Sequence, residues 1–94
     1  MAGNVIPLSV GTVTGSGTLS LNGTWLFGGI DLNTDGSNVG RVVIRDNNST
    51  GQVILDTSSI TGKTIIAPFY IPSGQVYYSI TGTGADAMLY IWNE

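Results

Sequence analysis

The stretch from Arg41 to Asp56 reads RVVIRDNNSTGQVILD. Two runs rich in Val, Ile and Leu, each bounded by charged residues, flank the polar centre Asn47-Asn48-Ser49-Thr50. Apolar runs on either side of turn-forming residues are the pattern of a β-hairpin. With Asn47 to Thr50 as the loop, Asp46 faces Gly51 and Arg41 faces Asp56. Side chains alternate along a strand, so Val42, Ile44, Val53 and Leu55 share one face. Arg41, Arg45, Gln52 and Asp56 share the other, with Val43 and Ile54 opposite each other in its middle. A slip of one residue would mix the apolar and charged sets, which selects this register. Arg41 and Asp56 then make a cross-strand ion pair.

The same grammar runs through the rest of the chain. Asn4 to Val10 reads as an edge strand, because Pro7 has no N–H to give to a ladder. Asn22-Gly23, between Leu19/Leu21 and Trp25/Phe27, is the strongest short hairpin signal, since a type I′ turn needs positive φ at both central residues. Gly28-Gly29 interrupts the next strand and predicts a bulge or a close backbone approach. TIIAPFYI and QVYYSIT, joined by Pro72-Ser73-Gly74, and then DAMLYIW after the GTGA turn, read as a meander. Pro68 makes the first of these an edge or bulged strand. In that meander Ile66, Tyr70, Val76, Tyr78, Ile80, Ala87, Leu89 and Ile91 point one way, and Phe69, Tyr77, Met88, Tyr90 and Trp92 the other.

No window carries an apolar stripe at helical spacing, and turn signals recur every 8–12 residues or so. The expectation is all-β: an antiparallel β-sandwich, jelly-roll-like or a small barrel, of about seven to eight short strands. A chain of 94 residues forms one domain, residues 1–94. It has no Cys and no His, so neither disulfides nor imidazole–metal staples can reinforce it. Packing against copies of itself is the remaining route.

Composition narrows the function classes. Three basic and six acidic residues leave a net charge of −3, and Arg41, Arg45 and Lys63 are too few to track a phosphate backbone. Nucleic acid is therefore not an expected partner. Neither is a membrane, for no run approaches the ~18 apolar residues of a span. Base-assisted nucleophilic catalysis lacks its His or Cys, the carboxylates are dispersed, and no helix follows Gly15-Ser16-Gly17 or Gly82-Thr83-Gly84 to cradle a phosphate. The expectation is a protein that is not an enzyme and uses no cofactor.

Asp31, Asn33, Asp35 and Gly36 match the first half of a calcium loop, and the first three are the candidate metal ligands. The bidentate carboxylate that such a loop needs at its twelfth position is replaced by Val42, and strands rather than helices flank it. Asp35-Gly36 reads better as a turn, with Asn38 able to adopt the left-handed conformation. An aromatic sheet surface is a more informative constellation. Phe69, Tyr77, Met88, Tyr90 and Trp92, with Val43 and Ile54 from the first hairpin, form the candidate interface. Such a face serves a protein interface, a sugar-stacking platform or the inner core of a sandwich.

The succession GGIDLNTDGSNVGRVVIRDNNSTGQVILDT, then GKTIIAPFYIPSGQVYYSITGTGADAMLYIW, resembles small virion proteins encoded in tailed-phage structural gene clusters. The likeness lies in the Asp-Gly turn before VVIRD, the returning G-x-V strand, the Pro-Phe run before a Ser-Gly turn, and the terminal TGTGA hairpin ending in aromatics. It spans roughly residues 28–92 and supplies no catalytic residues. It implies an all-β protein on the virion, at the capsid exterior, that decorates or cements the capsid. The implied partners are itself, as a homotrimer, and the major capsid protein. A first strand so close to the start favours a compact cement knob over a multi-domain fibre. The alternatives are a receptor- or glycan-binding domain of a fibre or tail, and a calcium-stabilised adhesion module.

Overall fold

The computed structural model of the protein describes residues 3–93; the outermost positions of the expected 1–94 domain lie outside them. It contains β1 (Asn4–Pro7), β2 (Gly15–Ser20), β3 (Leu26–Asn33), β4 (Gly40–Asp46), β5 (Val53–Ser59), β6 (Lys63–Tyr70), β7 (Gln75–Thr81) and β8 (Asp86–Asn93). One sheet, A, has the order β1-β8-β3-β6, and the other, B, the order β2-β7-β4-β5. All pairings are antiparallel. The β4–β5 hairpin is the innermost of four nested pairs, β4 with β5, β3 with β6, β2 with β7 and β1 with β8. Rolling that long double ribbon brings β8 beside β3 and β7 beside β4, which makes the sandwich a jelly roll.

Every connection between the described strands except β4–β5 passes from one sheet to the other. Two sequence expectations change as a result. Asn22 and Gly23 do adopt positive φ (56° and 86°), and Thr24 N–H donates to the Leu21 carbonyl at 3.2 Å. They make the expected turn, but no hairpin follows. Leu21 N–H donates instead to Gly74 O, and Ile71 N–H to Trp25 O, so the chain enters the opposite sheet. For the same reason β6, β7 and β8 are not a meander. A phase carried across their loops as if they paired side by side fails for β6. Ile65, Ala67 and Phe69 face inward, while Ile66 and Tyr70 are exposed.

In the β4–β5 hairpin the pairs are Val42↔Thr57, Val43↔Asp56 and Ile44↔Leu55, followed by Arg45↔Val53. The expected register is thus shifted, and Ile54 is an extra residue in the ladder. That bulge turns Val53 onto the outer face, where it is exposed, and removes Ile54 from its place opposite Val43. Arg41, now opposite Ser58, still reaches Asp56 on the diagonal, with Nε and Nη2 donating to the two carboxylate oxygens at 2.9 and 2.7 Å. Both groups are exposed, so the pair aligns the strands more than it stabilises them.

The edge and bulge expectations hold elsewhere. β1 with Pro7 and β6 with Pro68 are the two edges of sheet A. On β3 the ladder slips between Phe27 and Gly29 toward both neighbours. Against β8 the extra residue lies on β3 and against β6 it lies on β6; the alternation of β3 is reset, so that Phe27 and Ile30, three apart, both face the core and are fully buried. A Cβ on Gly28 would stand 2.5 Å from the Ile91 carbonyl carbon, and one on Gly29 would overlap the Ile65 carbonyl oxygen. Only glycine fits here, with Gly29 at φ 118°.

The core joins Ile30, Leu32, Ala87, Leu89 and Ile91 of sheet A to Val42, Ile44, Leu55, Val76 and Ile80 of sheet B. The Phe27 and Phe69 rings lie 6.2 Å apart at 47° within it. Beyond β1 the chain continues along β8: Leu89 N–H donates to the buried Ser9 Oγ at 3.1 Å, and Ser9 Oγ–H donates to Gly11 O at 2.6 Å. This satisfies a backbone donor that the short edge strand would leave unpaired.

Gly29→Ala combines positive φ with overlap of a neighbouring strand's backbone, so it should cost about 3 kcal/mol or more. Gly23→Ala, at positive φ but with open space around it, should cost only about 1 kcal/mol. Urea unfolding of the two variants checks the difference, and similar losses would contradict the steric role of Gly29.

Candidate interaction surface

The two outer faces of the sandwich differ in kind. On sheet B the outward positions are Ser16, Thr18 and Ser20 on β2, Tyr77, Ser79 and Thr81 on β7, Arg41, Val43 and Arg45 on β4, and Val53, Asp56 and Ser58 on β5. Polar side chains dominate. On sheet A the register aligns Val5 with Trp92, Pro7 with Tyr90, Gly29 with both Tyr90 and Ile66, and Leu26 with Tyr70. Tyr90, Trp92 and Met88 are half-buried, Ile66 is 45% exposed and Tyr70 62%. Along β3 the same face carries Leu26, Gly29, Asp31 and Asn33, so Tyr90, Trp92, Ile66, Pro68 and Tyr70 form an apolar patch toward one end, and Asp31, Thr64, Asn33 and Asp86 a polar patch at the other.

The sequence-predicted interface residues therefore separate. Met88, Tyr90 and Trp92 belong to this face. Phe69 packs with Phe27 in the core, since β6 has the opposite phase to that expected. Tyr77 and Val43 lie on the polar face of sheet B, beside Arg45 and Asp56 respectively. Ile54 sits at the bulge and packs against the core. The residues missed are Ile66 and Tyr70, assigned inward from the sequence, and Trp25, 64% exposed at the start of the same sheet. The double glycine was the available signal, because a bulge on β3 shifts what its neighbours present.

The acidic stretch at the end of β3 and in the turn after it is held by cross-strand bonds and bonds within the turn. Asp31 Oδ1 accepts from Thr64 Oγ1 at 2.9 Å, and Asn33 Nδ2 donates to Asp86 Oδ1 at 3.0 Å. Asp35 Oδ1 accepts from the Ser37 and Asn38 N–H groups, and its Oδ2 accepts from Asn38 Nδ2 at 2.8 Å. Gly36, at φ 83°, takes the left-handed position for which Asn38 was a candidate. The Asn38 amide, then the two backbone N–H groups, hold the Asp35 carboxyl below its ordinary pKa. The Arg41 guanidinium does the same for Asp56. Among the described residues no three of His, Cys, Asp or Glu gather as a metal site would require.

No family model matches the chain, and neither a curated protein nor a solved structure is found to match it. The reading of this surface rests on the residues themselves.

A carboxyl whose pKa is lowered by folding contributes stability above its unfolded value, and loses it as pH falls through the folded one. Asp35→Ala should therefore melt below the wild type at pH 7, with the gap narrowing below about pH 4. Thermal melts from pH 7 to pH 2 test this, and a gap independent of pH would assign the turn to other contacts. Chelator should leave the wild-type melting temperature unchanged.

Proposed function

We propose that this chain is a structural virion protein that decorates or cements a phage capsid, assembling as a homo-oligomer through the outer face of sheet A. The observation carrying the proposal is the contrast between the two outer faces. Sheet B presents mainly hydroxyls and an ion pair, with Tyr77, Val43 and Val53 spaced among them. Sheet A gathers Tyr90, Trp92, Met88, Ile66, Pro68 and Tyr70 on the part of its face away from Asn33 and Asp86, and a cluster of that kind has the composition of a protein contact. One adhesive side and one wetted side suit a protein that coats a larger particle.

The sequence resemblance supplies the virion context, with a trimer as the implied oligomer and the major capsid protein as the second partner. The jelly roll agrees with that context, although one fold serves many functions. A specific contact of about 800 Å² per partner needs most of one sheet face in a chain of this size. The reading assigns the protein no reaction and no cofactor.

Ile66→Glu or Tyr90→Glu should weaken self-association and retention on empty capsids by tenfold or more, on the order of 2 kcal/mol for a central contact. Thr18→Glu, on the polar face, should leave both intact. Native mass spectrometry and capsid co-sedimentation measure these effects, and copy number in purified virions measures the role. A monomer that ignores capsids, or a few copies confined to the tail, would refute the proposal.

A further inference from the structure

At one end of sheet A, the β2–β3 turn, the start of β3 and the ends of β6 and β8 enclose an open groove of about 400 Å³. This is within the usual range for small-ligand clefts, about 300–1,000 Å³. Gly23, Thr24, Trp25, Leu26, Tyr70 and Asn93 line it. Trp25 and Tyr70 are 64% and 62% exposed and, among the described residues, are the only aromatic side chains left mostly uncovered. Both emerge from a tethered backbone. The Trp25 carbonyl accepts from Ile71 N–H at 2.7 Å, Thr24 Oγ1 accepts from Leu26 N–H at 3.1 Å, and Leu26 pairs with Tyr70. Two rings on a tethered backbone lose little freedom when a ligand arrives.

We propose that this groove binds a neutral oligosaccharide, with the Trp25 and Tyr70 rings stacking on the apolar faces of sugar rings. The groove's chemistry selects that class. None of the described residues lining it carries a charge, which disfavours phosphorylated, sulfated and sialylated ligands. Lys63 lies at the opposite end of β3, opposite Leu32, while on sheet B Arg41 is bound to Asp56 and Arg45 donates to Gly51 O, so none of the three cations stands at the groove for a nucleic-acid backbone. Polar recognition falls to neutral groups. The Thr24 hydroxyl already accepts from Leu26 and keeps its own O–H to donate, and the Asn93 side chain brings an amide donor and acceptor. A ligand with apolar C–H faces and a rim of hydroxyls matches this combination. A peptide strand would have to add at the free edge of β6, where Pro68 has no N–H to give, and not across the rings on the face.

The groove shares Tyr70 with the apolar face but stands at its end, so the inference does not rest on the capsid reading. A glycan array carrying neutral hexose, N-acetylhexosamine and deoxyhexose oligosaccharides beside sialylated and sulfated ones provides the first test. The strongest neutral binder is then titrated against the variants. Trp25→Ala and Tyr70→Ala should each weaken binding about threefold to tenfold, as loss of one stacking ring implies. Trp25→Phe should keep most of it, and Thr18→Glu, on sheet B, should be without effect. Matching thermal melts would show that the exposed substitutions leave the fold intact. No binding across the array, preference for charged glycans, or full binding by Trp25→Ala would overturn the proposal. So would a Trp25→Ala variant that alters the oligomeric state in a protein that binds no glycan, for the groove would then be a contact between copies.

Discussion

At Gly28 and Gly29 the backbone of β3 meets its two neighbours with no side chain between them, and both the inside and the outside of sheet A depend on that contact. Phe27 and Ile30 are three residues apart, and strict alternation would send one of them to solvent. The slip in register lets both point inward, and burying a Phe or Ile side chain is worth about 1.5–3 kcal/mol. Backbone crowding leaves no room for any other residue at either position. Outside, the same register sets Tyr90 and Ile66 on either side of Gly29. One feature thus completes the core and fixes what the outer face presents.

The rolled ribbon imposes a second constraint. Consecutive strands lie in opposite sheets except at β4–β5, so each short turn must carry the chain across the sandwich. Side-chain bonds tie these turns to elements far away in sequence. Ser73 donates through N–H and Oγ–H to Asp46 Oδ1 at 3.2 and 2.7 Å, and Gln75 Nε2 donates to Asn47 O at 2.9 Å. Thr34 Oγ1 reaches Ile60 O at 2.7 Å at the other end. These bonds are exposed and individually small, yet they join neighbouring loops at each end of the roll. Asn, Ser and Thr therefore have structural work on this surface, and the low charge of the chain follows without recourse to any ligand.

How much of this was legible depends on whether the information is local. The β4–β5 hairpin, the edge positions of Pro7 and Pro68, the positive φ at Asn22 and Gly23, and the break at Gly28-Gly29 all follow from nearby residues. The destination of a strand after a turn does not. Asn22-Gly23 specifies a reversal, but the choice of sheet is made by Leu21 with Gly74 and Trp25 with Ile71, pairs some fifty residues apart. The site divides in the same way. Met88, Tyr90 and Trp92 were readable because β8 alternates without interruption. Ile66 and Tyr70 were not, because phase can be inherited across a loop only when the two strands pair. Trp25 looked like the far side of a hairpin and is instead the rim of a groove.

The edges of the sheets bear on the proposed association, because they favour contact through a face over contact through a strand. Strands at a sheet edge offer unpaired backbone groups to a neighbouring chain; proline and bulges are usual means of discouraging that pairing, and glycine weakens a strand. Sheet A has a proline in each edge strand, Pro7 on β1 and Pro68 on β6. In sheet B, β2 opens with Gly15-Ser16-Gly17, and β5 carries the Ile54 bulge. Each edge is thereby a poor template for an added strand. Sheet B's outer face is mainly hydroxyls with the Arg41–Asp56 pair. What is left is the apolar patch of sheet A, where covering Tyr90, Trp92 and Ile66 would gain hydrophobic contact without disturbing a ladder bond. A chain with no disulfide to reinforce it gains most from that contact, because a small domain hides a smaller share of its surface than a large one.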